Sequence, residues 1–491
     1  MIRRIIKYNK ERLRDKIYAC WIGKNIGGTI GGPYEGKREF LDVKGFVTEQ
    51  DVVLPNDDLD LQLVWLRAVE IHGARAVTPQ LLGEFWLSFI TPHWGEYGIC
   101  KNNMRIGFYP PFSGDVFNSW KNSNGAWIRT EIWACLAPGA PEIATKYAYR
   151  DACIDHGVEG EGTIAAVFVA ALESAAFVEK DIRKLIDIGL SYIPENSRFA
   201  KSIRKVIECY EEGKDYKTAR NIILELNKDI GNGWFEAPSN VSYAVIGLLW
   251  GQGDFKKSMI YAVNCGDDTD CTAGTVGSIL GIIGGTKGIP EDWKAHIGDK
   301  IATVSIAVGV LKKVPETCKE LTERVAKVCP GMLFENNADV SLTEGEEEVA
   351  EDFYEKTLKT ATTEIFNKTP YSYTVEFLHT DATVVFESEP KIQPLQTYKI
   401  KIIFEQKYLT DAKWCVSPYY FKLRWWLPEG FTVNGANVVC VEQYDPHANG
   451  KAEAEFEIIA PQTLQPVNRL VLEAEAIDKM TVGYIPVTLL G

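Results

Sequence analysis

The spacing of hydrophobic and polar residues changes once along the chain. From residue 1 to about residue 330 apolar residues recur at helical intervals, as in residues 61–68 (LQLVWLRA). Over residues 362–491 apolar and polar residues alternate in short runs, as in residues 398–404 (YKIKIIF), and this alternation is typical of strands. The pattern predicts three parts in chain order: an all-α domain over residues 1–335, a linker over residues 336–361, and an all-β sandwich over residues 362–491.

Two short acidic segments each lie directly before an apolar helical pattern. The first is residues 55–60 (PNDDLD), and the second is residues 267–271 (DDTDC). One interpretation is two capped helix N-termini, because Asp and Asn accept hydrogen bonds there and the helix dipole favours carboxylates. The other is a site for a hard cation such as Mg²⁺, which prefers carboxylate oxygens. Carboxylates brought together from both segments would repel each other without a metal, so the two segments together favour the metal site.

Three motifs, in this order, resemble those of the ADP-ribosylglycohydrolases. Residues 21–35 (WIGKNIGGTIGGPYE) are similar to the family's N-terminal helix, Gly-rich turn and Glu. Residues 56–59 (NDDL) stand where the family has Thr-Asp-Asp-Thr, and residues 267–271 stand where it has Gly-Asp-Thr-Asp-Thr before a small-residue helix. The resemblance implies a helical catalytic domain that cleaves a glycosidic bond of an ADP-ribosyl or related sugar conjugate. It does not cover residues 362–491.

The resemblance also implies a binuclear metal site that activates water for attack at an anomeric carbon. Two Mg²⁺ ions are expected, with Mn²⁺ as the alternative ion. The implied ligands are Asn56, Asp57 and Asp58 for one ion, Asp268 and Asp270 for the other ion or for a bridge, and Cys271, which replaces a Thr of the family. Glu35 is the leading catalytic acid/base and Asp57 the second, although a lone loop carboxylate such as Glu35 is more often a surface residue.

Residues 93–130 form a long segment rich in Gly, Asn, Pro and aromatic residues, and this composition favours a functional loop. Within it, residues 124–129 (NGAWIR) are similar to the family's Asn-Gly-Ala-x-x-Arg loop beside the substrate. The residues expected to bind substrate are Asn124, Gly125, Arg129, His156, Tyr109 and Trp127. Arg129 could instead form a structural ion pair, and His156 could close a helix, so both interpretations stay open.

Two positions depart from the family motifs, because Leu59 and Cys271 each replace a Thr. These changes leave the substrate open between an ADP-ribosyl conjugate and a simple glycoside. Three hypotheses follow, in descending order. The first is a metal-dependent glycohydrolase, the second is a non-catalytic binder of ADP-ribose or sugar, and the third is a thiol enzyme that uses Cys271. The third comes last because no paired base is evident.

Composition limits the partners and the compartment. The 491 residues are 46% hydrophobic and 24% charged, as in soluble globular proteins of more than one domain, and the formal net charge is −14. This charge argues against nucleic acid and anionic membranes as partners. The family resemblance implies a small sugar or ADP-ribosyl molecule as the partner. Eleven cysteines without paired spacing, and no apparent secretory signal or membrane span, predict a cytoplasmic protein. The sandwich is expected to brace the catalytic domain or to form a homo-oligomer contact, ahead of glycan binding through Trp414, Trp425 and Trp426.

Overall fold

The chain is described by a computed structural model that covers residues 6–307, 309–378, 380–407, 419–443, 451–477 and 480–491. It divides into two compact units. Unit 1 contains residues up to 101 and residues 114–366, and unit 2 contains residues 102–113 and 367–491. The predicted fold class is confirmed: the first part of the chain is helical and the C-terminal part is built from antiparallel sheets.

The helices lie almost entirely before residue 361. They are α1 (Lys10–Gly31), α2 (Asp57–His72), α3 (Pro79–Phe89), α4 (Gly95–Ile106), α5 (Phe112–Asp115), α6 (Glu131–Leu136), α7 (Pro141–His156), α8 (Glu161–Ala176), α9 (Ile182–Ser191), α10 (Arg198–Glu211), α11 (Tyr216–Leu226), α12 (Ala237–Gly251), α13 (Phe255–Asn264), α14 (Thr269–Gly284), α15 (Glu291–Ile297), α16 (Cys318–Glu335) and α17 (Phe353–Thr360). Among the described residues, none of these helices combines the length and apolar character needed to cross a membrane.

Helices α1 and α14 form the centre of unit 1 and pack closely along glycine-rich faces. A Cβ atom added to Gly23 would lie 2.1 Å from the carbonyl oxygen of Gly277, and one added to Gly31 would lie 2.2 Å from that of Thr269. Only residues without side chains allow this approach of two backbones. The packing brings the C-terminal end of α1 against the N-terminal end of α14, which carries the second acidic segment.

A three-stranded sheet ties the start of the chain to the segment after α16. Strand β1 (Ile6–Asn9) pairs in parallel with β2 (Val340–Thr343) and antiparallel with β3 (Glu348–Val349). Ion pairs add to this sheet: Lys7 Nζ lies 2.6 Å from Glu348, and Lys10 Nζ lies 2.7 Å from Glu344. These pairs are exposed, so they contribute little to stability. They place Lys7 and Lys10 opposite the acidic residues of segment 344–348 (EGEEE). Together with α17, β2 and β3 lie within residues 336–361, the predicted linker.

The C-terminal part of unit 2 contains two antiparallel sheets. The strands are β4 (Ser372–Glu376), β5 (Thr380–Phe386), β6 (Thr397–Gln406), β7 (Tyr419–Trp426), β8 (Thr432–Val433), β9 (Val438–Gln443), β10 (Lys451–Ile459), β11 (Val467–Ala476) and β12 (Val482–Leu490). Their orders in the two sheets are β4-β5-β6-β10-β8 and β12-β11-β7-β9. The predicted alternation holds in β6, in which Tyr398, Ile400, Ile402 and Phe404 are buried.

Aromatic pairs join the buried faces of the two sheets. Phe404 of β6 stacks on Phe421 of β7 with ring centroids 4.7 Å apart, and Trp425 of β7 meets Phe456 of β10 at 5.3 Å. Trp425 is 2% exposed and its neighbour Trp426 is 53% exposed, so the two indoles lie on opposite faces of β7, as expected for adjacent strand residues. Trp414 lies outside the described residues.

Residues 102–113, which include the end of α4 and the start of α5, belong to unit 2. The Thr488 hydroxyl donates a 2.7 Å hydrogen bond to the Gly107 carbonyl, and Arg469 Nε donates to the Ile106 carbonyl at 3.1 Å. The ring of Tyr109 stacks on Tyr373 at 5.1 Å. Unit 2 is therefore made from two stretches of chain that are far apart in sequence.

Candidate metal centre and active site

Three chain segments supply the residues of the candidate site. Helix α1 ends in a 3₁₀ turn over Gly32–Tyr34, and Glu35 follows it. Helix α2 begins at Asp57, and Asn56 caps it by accepting a 2.8 Å hydrogen bond from the Asp58 backbone N–H. In the second acidic segment, Asp267 and Asp268 precede α14, and Asp270 and Cys271 lie in its first turn. The capping interpretation is thus correct for Asn56, while the neighbouring carboxylates remain available for other contacts.

Two groups of side chains from these segments could each hold a metal ion. In the first, which we call the oxygen triad, Glu35, Asp268 and Asp270 place one oxygen each within 4.8 Å of one another. The second group, which we call the thiol triad, consists of Asp58, Asp270 and Cys271. One oxygen of each carboxylate and the Cys271 sulfur lie within 4.8 Å of one another. Asp270 belongs to both groups. A carboxylate common to both groups could serve two neighbouring ions.

Two carboxylate oxygens at the centre of the site have no donor. Asp268 is 4% exposed and Asp270 is 7% exposed. In the described part of the chain, no N–H or hydroxyl group donates a hydrogen bond to Oδ1 of either residue. Burying a carboxylate oxygen without a donor or a cation is costly, so these atoms fit the coordination of a hard divalent ion.

The pKa values of these carboxyl groups show how much negative charge the site concentrates. Burial raises the pKa of Asp58 and Asp268 well above the ordinary value. Burial, followed by the charge of Glu35, raises the pKa of Asp270 to about 7. Glu35 is exposed to solvent, but desolvation by the neighbouring protein, followed by the charges of Asp57 and Asp58, raises its pKa to about 7 as well. A bound cation would favour the ionised form of each group.

Asp57 lies at the first turn of α2 with one oxygen engaged by an aromatic hydroxyl. The Tyr97 hydroxyl donates a 3.0 Å hydrogen bond to Asp57 Oδ2. Asn56, the cap of the same helix, also reaches the second acidic segment, because its Nδ2 lies 3.4 Å from Asp270 Oδ2. The first acidic segment therefore contacts the second through a side-chain amide as well as through the thiol triad.

Asp60 and Asp267 belong to the acidic segments, but their carboxylates serve the fold. Asp60 Oδ2 accepts hydrogen bonds from the backbone N–H groups of Val304 and Ser305, at 2.6 and 2.5 Å. The two oxygens of Asp267 accept from the Phe235 backbone and from Asn240 Nδ2. Neither residue belongs to the triads described above.

The loop over residues 124–129 reaches the cluster through Asn124. Its Nδ2 donates a 2.5 Å hydrogen bond to Asp268 Oδ2, and its Oδ1 accepts one from the buried indole of Trp127 at 2.9 Å. Gly125 allows the loop to pass close to α4, since a Cβ atom there would lie 2.2 Å from Glu96 Oε1. Asn124 thus contacts a candidate metal ligand directly, and Trp127 supports Asn124.

Arg129 and His156 lie in a buried network behind this loop. Arg129 is fully buried, and its guanidinium forms ion pairs with Asp151 and Asp155 at 3.0 and 2.8 Å. His156 is also fully buried, with Nε2 3.3 Å from Ser123 Oγ and Nδ1 3.0 Å from Asp155. Burial alone would raise the pKa of Asp155, but Arg129 and His156 outweigh it and lower the pKa to about 2. This geometry favours the structural ion pair left open for Arg129.

Tyr109 differs from the other residues expected at the substrate. It belongs to unit 2, where its ring stacks on Tyr373. The remaining residues expected at the substrate, Asn124, Gly125, Trp127, Arg129 and His156, are in unit 1. Of these, Asn124 makes the direct contact with the acidic cluster.

Sequence reasoning missed a buried lysine at the base of the site. Lys24 of α1 is 2% exposed, and its Nζ lies 3.3 Å from Asp58 Oδ2 and 2.7 Å from Glu131 Oε1. Gln62 donates a 2.8 Å hydrogen bond to the other oxygen of Glu131. The signal available in the sequence was a single lysine in the glycine-rich segment WIGKNIGG, at a position that faces α14.

Aromatic side chains continue outward from the acidic cluster. We call Trp94, Tyr97, Trp120, Trp234 and Phe235 the aromatic wall. The rings of Trp94 and Tyr97 are 6.1 Å apart, those of Trp120 and Trp234 are 6.3 Å apart, and Phe235 stacks on Trp234 at 4.7 Å. Trp94 is 54% exposed and Trp234 is 38% exposed. Tyr97 connects this group to the acidic cluster through Asp57, and an exposed indole such as that of Trp94 is suited to stacking on the flat face of a ligand.

Comparison with known proteins assigns the family. A family model described as ADP-ribosylglycohydrolase matches residues 9–330. A solved structure described as an ADP-ribosylglycohydrolase-related protein complex is 19% identical, with 66% of this chain and 98% of that chain covered and a TM-score of 0.44. The search of curated proteins gave no match. The family model spans well over half of the chain and includes both acidic segments, and on this basis the chain belongs to the ADP-ribosylglycohydrolase family.

Proposed function

We propose that this protein is a metal-dependent glycohydrolase that hydrolyses the bond at the anomeric carbon of an ADP-ribosyl or related sugar conjugate. The observation that carries the proposal is the position of Asp270, which is common to the oxygen triad and the thiol triad. The unpartnered oxygens of Asp268 and Asp270 fit a binuclear centre better than two separate helix caps.

The residues that would hold the two ions come from both acidic segments. They are Asn56, Asp57, Asp58, Asp268, Asp270 and Cys271, with Glu35 at the edge of the oxygen triad. When bound, Mg²⁺ or Mn²⁺ would supply a water of lowered pKa and would orient sugar hydroxyls. Asn124 and Tyr97 would fix the orientation of Asp268 and Asp57, the carboxylates that they contact.

Glu35 is the best candidate for the proton transfer at the scissile bond. It is the member of the triads that reaches solvent, so it can exchange its proton with water. A carboxyl group with this access could donate a proton to a leaving group or accept one from water. Asp57 is the second candidate, although its Oδ2 already accepts a hydrogen bond from Tyr97.

The aromatic wall would bind the rest of the substrate. A sugar face or a base could stack on Trp94, which retains exposed ring surface. Trp234 is less open to a ligand, because Phe235 stacks on its ring at 4.7 Å and the Arg38 guanidinium lies 4.7 Å from its ring centroid. The phenol of Tyr97 connects the wall to Asp57, so a stacked group would lie near the proposed metal ligands. Arg129 and His156 would support the loop below the site rather than contact substrate, because both are fully buried.

The aromatic wall also favours a second candidate, a small non-nucleotide glycoside. Stacking on exposed indoles does not require a base, so a simple sugar with an aromatic leaving group would use the same surface. A non-catalytic binder of ADP-ribose or sugar is the remaining alternative, motivated by Leu59 and Cys271. Leu59 is 2% exposed and packs in the core, so it offers no oxygen to a metal.

A hydrolysis screen tests the proposal. The parent protein is compared with Asp268→Asn and Asp270→Asn in the presence of Mg²⁺ or Mn²⁺, on ADP-ribosyl-arginine, ADP-ribosyl-serine and nitrophenyl glycosides. Asp292→Asn is the matched control, because the Asp292 side chain is exposed and forms an ion pair with Lys256, away from the acidic cluster. We expect turnover by the parent and the control and none by the two site variants.

The substrate that is cut decides between the candidates. Cleavage of an ADP-ribosyl conjugate supports the first function, and cleavage of nitrophenyl glycosides alone supports the second. If the parent binds metal and ADP-ribose without turnover on any substrate, the proposed enzymatic function is wrong and the binder is favoured.

A further inference from the structure

We infer that the two metal positions differ in chemistry, and that the thiol triad of Asp58, Asp270 and Cys271 selects a thiophilic divalent ion such as Zn²⁺, Co²⁺ or Cd²⁺. The oxygen triad of Glu35, Asp268 and Asp270 would keep a hard ion such as Mg²⁺. The inference rests on the metal centre of the proposed function, but it concerns which ion binds and not which bond is cleaved.

The position of the Cys271 sulfur is the first observation. Sγ lies 3.1 Å from Asp58 Oδ1 and within 4.8 Å of an oxygen of Asp270. Asp270 and Cys271 are adjacent on the first turn of α14, so their side chains leave the helix about 100° apart. One helix end can therefore contribute a carboxylate to both ions and a sulfur to one of them.

The carboxylates of the thiol triad supply independent evidence for a ligand. Asp270 Oδ1 is buried and accepts no hydrogen bond from an N–H or hydroxyl group of the described residues. Asp58 is fully buried, and Lys24 Nζ lies 3.3 Å from its Oδ2. The other oxygen, Oδ1, faces Cys271. A cation between Asp58 Oδ1, Asp270 and Cys271 Sγ would thus meet two oxygens and one sulfur.

Ligand chemistry then decides the ion. Mg²⁺ binds oxygen ligands and gains little from sulfur, whereas Zn²⁺ binds Cys sulfur together with carboxylate oxygen. Thiolate ligands favour soft and borderline ions over Mg²⁺. Coordination replaces the S–H bond of Cys271 with a sulfur–metal bond and releases the proton to solvent, with no change of oxidation state. A Thr at this position would leave an all-oxygen site.

A simpler role for Cys271 would be as a thiol donor to Asp58 alone. In that case the sulfur would never contact a metal, and a hydroxyl would replace it without changing the preference between ions. The two roles differ in a spectroscopic property, because sulfur bonded to Co²⁺ gives a ligand-to-metal charge-transfer band in the near ultraviolet and oxygen ligands do not.

The experiment uses the full chain without metal, titrated with Co²⁺ while the near-ultraviolet absorbance is followed. The variants are Cys271→Ser and Cys271→Thr, and Cys440→Ser is the control for an exposed thiol that binds cobalt adventitiously. We expect the band in the parent and in the control, and its loss in both Cys271 variants. Unchanged thermal unfolding in Mg²⁺ would show that the variants are folded.

Competition between ions gives the second readout. Isothermal titration of each protein with Zn²⁺ and with Mg²⁺ gives the ratio of the two affinities. We expect Cys271→Thr to lower the Zn²⁺ to Mg²⁺ affinity ratio by about 10- to 100-fold, as for the loss of a metal-supporting group. A band that persists in Cys271→Ser, or a ratio that stays the same in Cys271→Thr, would overturn the inference.

The outcomes separate this inference from the proposed function. A parent that shows the cobalt band and the expected affinity ratio but hydrolyses nothing would support the inference and contradict the proposed activity. A parent that hydrolyses substrate with Mg²⁺ and shows no cobalt band would support the activity and contradict the inference.

Discussion

Asn124 donates a 2.5 Å hydrogen bond from its side-chain amide to Asp268 Oδ2, and Trp127 donates to the Oδ1 of the same Asn124. Because the indole can only donate, it fixes which end of the Asn124 side chain faces Asp268. A loop residue remote in sequence thereby sets the orientation of a candidate metal ligand.

The first prediction concerns this hydrogen bond. Asn124→Ala leaves Asp268 without its side-chain donor, so we expect metal affinity to fall by about 10- to 100-fold, the range for loss of a group that orients a ligand. Isothermal titration with Mg²⁺ or Mn²⁺ measures the change. Asn227→Ala is the matched control, since Asn227 is equally buried but binds Ser202 and the Ile223 carbonyl. Equal affinities for the two variants would contradict the orienting role.

The second prediction concerns pH and metal together. Glu35 and Asp270 have pKa values raised to about 7, so in the absence of metal the folded state loses stability as pH rises from about 4 through 7. Bound metal favours the ionised carboxylates and removes this loss. We expect added Mg²⁺ to raise the midpoint of thermal unfolding more at pH 7.5 than at pH 5, measured by calorimetry. A larger rise at pH 5 would contradict the assignment of these carboxyl groups to the metal centre.

The third prediction separates a structural role of Arg129 from a role in substrate binding. Arg129→Met removes the partner of two buried carboxylates, Asp151 and Asp155, and we expect a loss of about 3–5 kcal/mol in the free energy of unfolding. Denaturant titration measures it. If Arg129 instead contacts substrate, the variant would keep its stability and show a raised KM.

The fourth prediction tests the close packing of α1 on α14. In Gly31→Ala the added Cβ would lie 2.2 Å from the Thr269 carbonyl oxygen, so the helices must separate at the end that carries the metal site. We expect a loss of about 1–3 kcal/mol in stability, typical of overpacking, and weaker metal binding. Gly45→Ala is the control, because a Cβ atom there meets nothing within 4 Å. If Gly31→Ala unfolds at the same free energy as the control and binds metal with the same affinity, the close contact between α1 and α14 is not required.

Local sequence signals account for the fold class and for the acidic cluster. The helical and alternating spacings of apolar residues are visible in short stretches of sequence. Each acidic segment is also recognisable locally, because it stands directly before an apolar helical pattern. Tyr97 and Glu131 have no such signal, and the single lysine in the glycine-rich part of α1 does not by itself indicate a partner. The contacts of these residues arise only when α1, α4 and α6 are packed. Tyr109 shows the same limit: aromatic composition does not distinguish a ring that stacks on a ligand from one that stacks on Tyr373.

Because unit 2 is made from two stretches of chain, one of them is synthesised long before the other. Tyr109 and Phe112 leave the ribosome more than 250 residues before their partners Tyr373 and Phe386. During that interval the residues on which their rings pack in the complete chain have not been made, so their apolar surface lacks those contacts. Residues 102–113 can therefore complete unit 2 only after translation has reached the C-terminal strands.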